Sequence, residues 1–191
     1  MLESASMDAD ITDEELMQRY AAGDASAFDA LYTRHRGSLY RYFLRQCSSD
    51  AIAQELYQDV WMKLIHSRER YQPTALFKTW LYRLAHNHLI DFYRKKHPQN
   101  FIADDSTDPD SLQGNDSWQP DNQFQLRRLA ELIRQKISEL PAVQREVFLL
   151  HEEAGLTLEQ IATVTDIDKE ATKSRFRYAI KKLRQALEDS R

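Results

Sequence analysis

Apolar residues recur along most of this chain at the three- and four-residue intervals of an amphipathic helix, and the alternation that marks a strand is scarce. Thr12-Asp13-Glu14-Glu15 ahead of Leu16 reads as a capping box opening a first helix, which Gly23-Asp24 punctuates. Phe28, Leu31, Tyr32, His35, Leu39 and Tyr42 carry a second helix to a break at Ser48-Ser49-Asp50. From about Asp50 to Ser67, Ile52, Leu56, Val60 and Leu64 stand four apart and are expected to face inward. Tyr71-Gln72-Pro73-Thr74 interrupts the pattern, because Pro73 disfavours helix for the residue before it. Phe77, Leu81, Leu84, His88 and Phe92 then predict a helix from about Leu76 to Lys95.

A second helical block begins near Phe124, with Leu126, Leu129, Ile133, Ile137 and Leu140 on one face. Pro141 suits the first turn of the next helix, which carries Val143, Val147 and Leu150 and ends at Gly155. Thr157-Leu158-Glu159-Gln160 is a further capping box. The short helix it opens runs to Thr165, breaks at Asp166-Ile167-Asp168, and gives way to a long helix from Lys169 to about Leu187. There Phe176, Ile180, Leu183 and Leu187 form an apolar stripe, while Lys173, Arg177, Lys181 and Arg184 repeat the same spacing on an adjoining arc. A helix–turn–helix whose second helix buries one stripe and offers a basic one is shaped to lie in a DNA major groove. A solvated amphipathic helix would show the same pattern.

Between the blocks, Pro98 to Gln123 holds Asp104, Asp105, Asp108, Asp110, Asp116 and Asp121 and no lysine or arginine. So few apolar groups cannot offset the entropy of ordering the segment, which is expected to be a flexible tether, with Trp118 a candidate docking point. Calcium binding by these aspartates is disfavoured, since neither the ligand order nor the turn glycine of a calcium loop is present. The expectation is an all-α protein of two small helical domains. A flexible N-terminus spans 1–11, a four-helix domain 12–97, the acidic linker 98–123 and a helix–turn–helix domain 124–191.

The formal net charge of −4 over 191 residues argues against an all-over nucleic-acid coat and permits a local basic surface. One cysteine, Cys47, excludes a disulfide framework and fits a reducing cytoplasm. No signal-peptide pattern and no apolar run of membrane-spanning length is present, so a cytoplasmic protein without membrane insertion is expected. His86-Asn87-His88 invites a nuclease reading, but residues two apart on a helix point about 200° away from each other and cannot share a metal. His151-Glu152-Glu153 begins like a zinc-protease motif, yet its fifth position is Gly155. With no glycine-rich phosphate loop either, no catalysis, metal, cofactor or small-molecule substrate is expected.

Several segments resemble, in order, those of the extracytoplasmic-function sigma factors, compact two-domain initiation subunits of bacterial RNA polymerase in the sigma-70 family. They are Asp13-Glu14-Glu15-Leu16, Ala21-Ala22-Gly23-Asp24 and Leu39-Tyr40-Arg41-Tyr42, then Ala53 to Trp61, then Phe77 to Asn87. Leu140-Pro141, Gln144 to Phe148 and Lys173-Ser174-Arg175 follow in the second block. The resemblance implies binding to core RNA polymerase and to promoter DNA, transcription initiation at a specialised regulon, and an anti-sigma partner.

By that resemblance, the third helix docks against a clamp helix of the polymerase, through Gln54, Glu55, Gln58, Asp59 and an outward Trp61. The loop from Tyr71 to Thr79 with Asn87 forms a pocket for a flipped −10 base. Phe77, Lys78, Trp80, Arg83, Arg94, Lys95 and Lys96 complete that surface, cations tracking phosphates and rings meeting unstacked bases. Lys173, Ser174, Arg175, Arg177, Tyr178 and Lys181 are the candidates for the −35 element. Here the chain departs from the family. Asp166 stands at the usual turn glycine, and Asp168 and Glu170 replace proline and glycine before the recognition helix. Tyr178 and Ile180 occupy positions where basic residues are common. Two rivals remain open on sequence alone: a stand-alone operator-binding regulator, and a degenerate sigma-like chain that only titrates a partner.

Overall fold

The computed structural model describes residues 11–47, 49–96 and 122–188, without the side chains of 122–126. Nearly all of the expected N-terminal segment 1–11 and of the acidic linker 98–123, Trp118 included, lies outside the described residues. Among the described residues every regular element is a helix.

The first block holds α1 (Asp13–Ala21), α2 (Ala25–Gln46), α3 (Asp50–Ser67), a 3-10 turn at Arg68–Arg70, and α4 (Phe77–Lys96). Thr12 caps α1 as the sequence predicts, its hydroxyl accepting the Glu15 N–H at 3.2 Å. Gly23, at φ +104°, reverses the chain into α2 in a conformation that side chains with a β-carbon rarely adopt. Asp24 then caps α2 through Ser26 and holds Arg19 at 2.7 Å, fixing the α1–α2 corner. Leu16, Met17, Leu31, Leu39, Tyr42, Phe43, Leu56, Val60, Leu64, Phe77, Leu81 and Tyr82 are buried at the centre.

The second block holds α5 (Asn122–Ser138), α6 (Ala142–Glu152), α7 (Leu158–Thr165) and α8 (Lys169–Glu188). Helix α5 thus begins two residues ahead of the expected boundary. The Thr157/Gln160 capping box forms in both directions, at 3.2 and 2.8 Å. Asp166 takes the left-handed conformation, at φ 55° and ψ 40°, in the turn where the family prefers glycine. Ile167 N–H donates to the Ala162 carbonyl at 3.1 Å and completes the turn. Val147, Leu149, Leu150, Leu156, Ile161 and Val164 form the centre of this block.

The two blocks pack on each other. Helix α2 lies against α6 and α4 against α7, and the buried side chains of both blocks form one continuous cluster.

Candidate polymerase- and promoter-binding surfaces

On α3, the predicted inward stripe is buried at Leu56, Val60 and Leu64, with Ile52 partly so. Gln54, Glu55, Gln58 and Asp59 are exposed on the other side, as the docking reading requires. Trp61 is not outward: it is 5 % exposed. Its indole meets Phe28 and Tyr32 edge-on at 5.9 and 5.0 Å and Tyr57 at 6.3 Å, because α2 supplies an aromatic slot that an indole fills. The exposed apolar residue here is its neighbour Met62, at 49 %. Helix α3 is tied to α4 by His88, whose ring nitrogens reach Asp59 at 3.0 Å and Lys63 at 2.7 Å. Burial and the Lys63 charge hold the His88 pKa below its ordinary value, against the pull of Asp59.

The loop between the 3-10 turn and α4 leaves residues 72–76 exposed, Leu76 at 54 %. Tyr71 and Trp80 are half-buried beneath it, their rings 5.1 Å apart edge to face. Burial, and then the Glu14 and Asp13 charges, push the Tyr71 hydroxyl up to about 12. Phe77 differs from its sequence reading: it is fully buried, 5.8 Å from Trp80, and supports the aromatic platform from below, where no base can stack on it. Arg83 and Asn87 are both exposed and one helical turn apart, so they share a side of α4. Arg94, Lys95 and Lys96 are exposed in the last turn, where the helix dipole favours cations. Lys78 is half-buried, its ammonium 3.9 Å from where a β-carbon on Gly155 would stand.

One element of this surface escaped the sequence reading. The Glu14 carboxylate accepts the Phe77 N–H at 2.5 Å, so α1 caps α4 from outside and fixes the end of the exposed loop. Beside it, Asp13 reaches His35 at 2.6 Å and Arg34 at 2.8 Å. Burial raises the Asp13 pKa, but those two partners outweigh it and leave it lowered.

On α8, Lys173, Arg177, Tyr178 and Lys181 are exposed and Ser174 and Arg175 half-buried, while Thr172 and Ala179 are buried against α7 and α6. Asp168 is a compensation for the missing proline. Its Oδ1 accepts the Glu170 and Ala171 N–H groups at 2.8 and 3.0 Å and caps the recognition helix. Glu170 holds Lys173 at 2.8 Å, and Glu159 of α7 holds Lys169 at 2.7 Å. Those pairings raise the Lys173 pKa and lower that of Glu159.

His86 and His88 serve different partners, His86 reaching Glu146 at 2.5 Å on the side away from Asp59. Among the described residues no cluster of three or more His, Cys, Asp or Glu is placed to hold a metal, and no helix is long and apolar enough to cross a membrane.

Residues 31–98 match the family model for sigma-70 region 2, and residues 130–183 the model for sigma-70 region 4. The chain is 32 % identical over 171 residues to the ECF RNA polymerase sigma factor SigL of Mycobacterium tuberculosis, covering 88 % of this chain and 93 % of that protein. It is 29 % identical to the ECF RNA polymerase sigma-E factor of Haemophilus influenzae, over 87 % of this chain and 90 % of that one. Its fold is like that of the sigma factor RpoE of Bartonella quintana, solved in complex with the anti-sigma factor NepR. The TM-score is 0.67 at 20 % identity, over 86 % of this chain and 98 % of that one. With α3 and α4 inside the region 2 match and the α7–α8 helix–turn–helix largely inside the region 4 match, the chain belongs to the extracytoplasmic-function sigma factors of the sigma-70 family, which initiate transcription with RNA polymerase.

Proposed function

We propose that the exposed Gln54, Glu55, Gln58 and Asp59 side of α3, with Met62 beside it, docks on core polymerase. In this reading the Tyr71–Leu76 loop, Trp80, Arg83 and Asn87 receive an unstacked −10 base. Arg94, Lys95 and Lys96 hold the adjoining backbone, and Lys173, Ser174, Arg175, Arg177, Tyr178 and Lys181 meet the −35 element. The observation that carries this is the geometry of α4. An exposed loop pinned by Glu14 overlies a Tyr71–Trp80 platform, with Arg83 and Asn87 presented farther along. Stacking contributes about 1–3 kcal/mol per base, and extruding a base costs a few kcal/mol, so one or two captured bases offset much of the local opening. The bond-forming chemistry is the polymerase's, and this chain contributes none. It acts in the cytoplasm on a specialised set of promoters, under an anti-sigma protein that covers its polymerase-binding surface.

Run-off transcription on a library of genomic fragments with purified core polymerase tests the reading. Transcripts from discrete starts are expected, and the Asn87→Ala variant should lose promoter opening, read by permanganate reactivity of unpaired thymines, more than initial complex formation. Footprints that need no polymerase would replace the reading with that of an operator-binding regulator. Polymerase binding without any transcript would replace it with that of a titrating decoy.

A further inference from the structure

The exposed side of α3 is not built by α3 alone. His88 follows Asn87 on α4, and its ring crosses to α3 between two side chains one helical turn apart. The Lys63 ammonium stands 2.7 Å from Nδ1, and Asp59 Oδ2 stands 3.0 Å from Nε2. An ammonium has hydrogens to give and no lone pair, so Nδ1 must accept from it. A ring that accepts at Nδ1 is neutral and carries its one proton on Nε2, which then donates to the carboxylate. The tautomer and the direction of both bonds thus follow from the two partners. The His88 side chain is 15 % exposed and Asp59 50 %, so a sheltered ring holds a carboxylate that still faces outward. Without that hold, a half-exposed aspartate would be free to exchange rotamers.

We infer that His88 is a positioning residue for polymerase docking: its neutral ring, held by Lys63, fixes the Asp59 carboxylate beside the exposed Gln54, Glu55 and Gln58. The inference rests on the reading of that side of α3 as the polymerase surface, and adds to it a residue from α4. Neutrality matters as much as geometry. With a neutral ring, the charges of Asp59 and Lys63 cancel. A proton on Nδ1 removes the acceptor, repels the Lys63 ammonium and leaves the three groups with a net positive charge. A face that offers carboxylates at Glu55 and Asp59 then attracts a cationic partner helix less. The charged groups facing the ring are Asp59 and Lys63 from α3 and Asp91 on α4. Burial and then Lys63 favour the neutral ring and outweigh the two aspartates. The ring therefore gains its proton only as pH falls below the ordinary value near 6.5.

Ring-nitrogen chemical shifts of His88 in the full chain test the contact, and titration of the full chain against purified core polymerase tests the role. The ring should show the Nε2–H form at about pH 7.5; the Nδ1–H form, or a charged ring at that pH, would overturn the contact. His88→Leu keeps the bulk and removes both nitrogens. It should weaken association about three- to fivefold at unchanged helicity, the scale of an orienting contact to a half-exposed carboxylate. His88→Gln retains an amide donor for Asp59 and should recover most of that loss. It should also lack the fall in affinity that the unaltered chain adds between about pH 7.5 and about pH 5.5. In an Asp59→Asn background, His88→Leu should cost nothing further; equal losses in both backgrounds would reduce His88 to packing and overturn the inference. Should the leucine variant fail to fold, the glutamine variant decides, and a pH profile parallel to that of the unaltered chain overturns the role. An Asp59→Asn chain that binds polymerase as tightly as the unaltered one would instead overturn the docking reading beneath it.

Discussion

Replacing Trp61 by alanine separates a structural role from a docking role on α3. The indole is 5 % exposed and wedged among Phe28, Tyr32 and Tyr57. A buried tryptophan cut to alanine loses transfer energy and leaves a cavity, together about 3–5 kcal/mol. For a chain of this length each kcal/mol shifts Tm by about 2–4 °C, so a fall on the order of 10 °C is expected for the cooperative unit containing α2 and α3. Trp61→Phe keeps the ring and should lose under about 1.5 kcal/mol. Met62→Ala, at a half-exposed position, should leave Tm within the roughly 0.5 kcal/mol range of surface changes while weakening polymerase association by more than about fivefold. Thermal unfolding by circular dichroism, with association to immobilised core polymerase measured well below each Tm, reads both effects. A Trp61→Ala protein that melts like wild type yet fails to bind polymerase would refute the reasoning and restore the tryptophan to the interface.

Asp168→Ala removes the cap of the recognition helix and should cost about 0.5–2 kcal/mol, seen as lower Tm and earlier amide exchange at Glu170 and Ala171; unchanged exchange would contradict the cap. Glu170→Gln frees Lys173 from its 2.8 Å partner, so duplex binding should tighten and its log–log salt slope steepen by up to about one unit; a weaker complex would show that the carboxylate does not compete with phosphate. The packing of the two blocks should also respond to pH through His86, which faces Glu146 from α6, Tyr42 from α2 and Arg83 on its own helix. Burial lowers its pKa and Arg83 adds to that, but Glu146 outweighs both and leaves it raised. The stabilisation from this contact is therefore complete below the ordinary value near 6.5 and is lost as pH rises through the higher value it takes in the folded chain. The His86→Gln change should therefore cost more Tm at about pH 6 than at about pH 8; an equal loss at both would remove the charged imidazole from this contact.

Periodicity and punctuation made most of the helices legible. The capping box at Thr157 formed in both directions, the one read at Thr12 formed only its Thr12-to-Glu15 N–H half, and Asp166 took the left-handed turn. Local pattern is blind, however, to what a neighbouring helix supplies. Trp61 lies three residues from Gln58 on a face of carboxylates and amides, and only the Phe28–Tyr32 slot of α2 turns it inward. Phe77 sits in a run of aromatics and cations that suggests nucleic-acid contact, yet packing beside His35 and Trp80 buries it. Glu14 read as part of a local helix start, while its contact is 63 residues away at the α4 N-terminus. Likewise nothing in the α6 sequence marks Glu146 and Glu153 as partners of α2, because the pairing spans 104 to 112 residues. The recognition helix was the opposite case. Its basic arc faces solvent as predicted, since no other element competes for it.

The distribution of charge then bears on why a sigma factor with a formal net charge of −4 can carry local basic surfaces at the end of α4 and along α8. Acidic residues of the second block neutralise cations within the chain: Glu153 takes Arg41 and Arg45, Glu159 takes Lys169, and Glu170 takes Lys173. A phosphate approaching any of these cations must displace a carboxylate already in place, so the gain is the difference between two pairings rather than a whole one. The exposed pairs on α8 cost little to displace, being screened and individually worth under about 1 kcal/mol. At Glu153 the carboxylate is only 7 % exposed while Arg41 is 52 % exposed and Arg45 30 %, so the anion is the harder member of those pairs to rehydrate. Duplex affinity at the recognition helix should therefore be modest and salt-sensitive, with a log–log slope reduced for each carboxylate that stays paired.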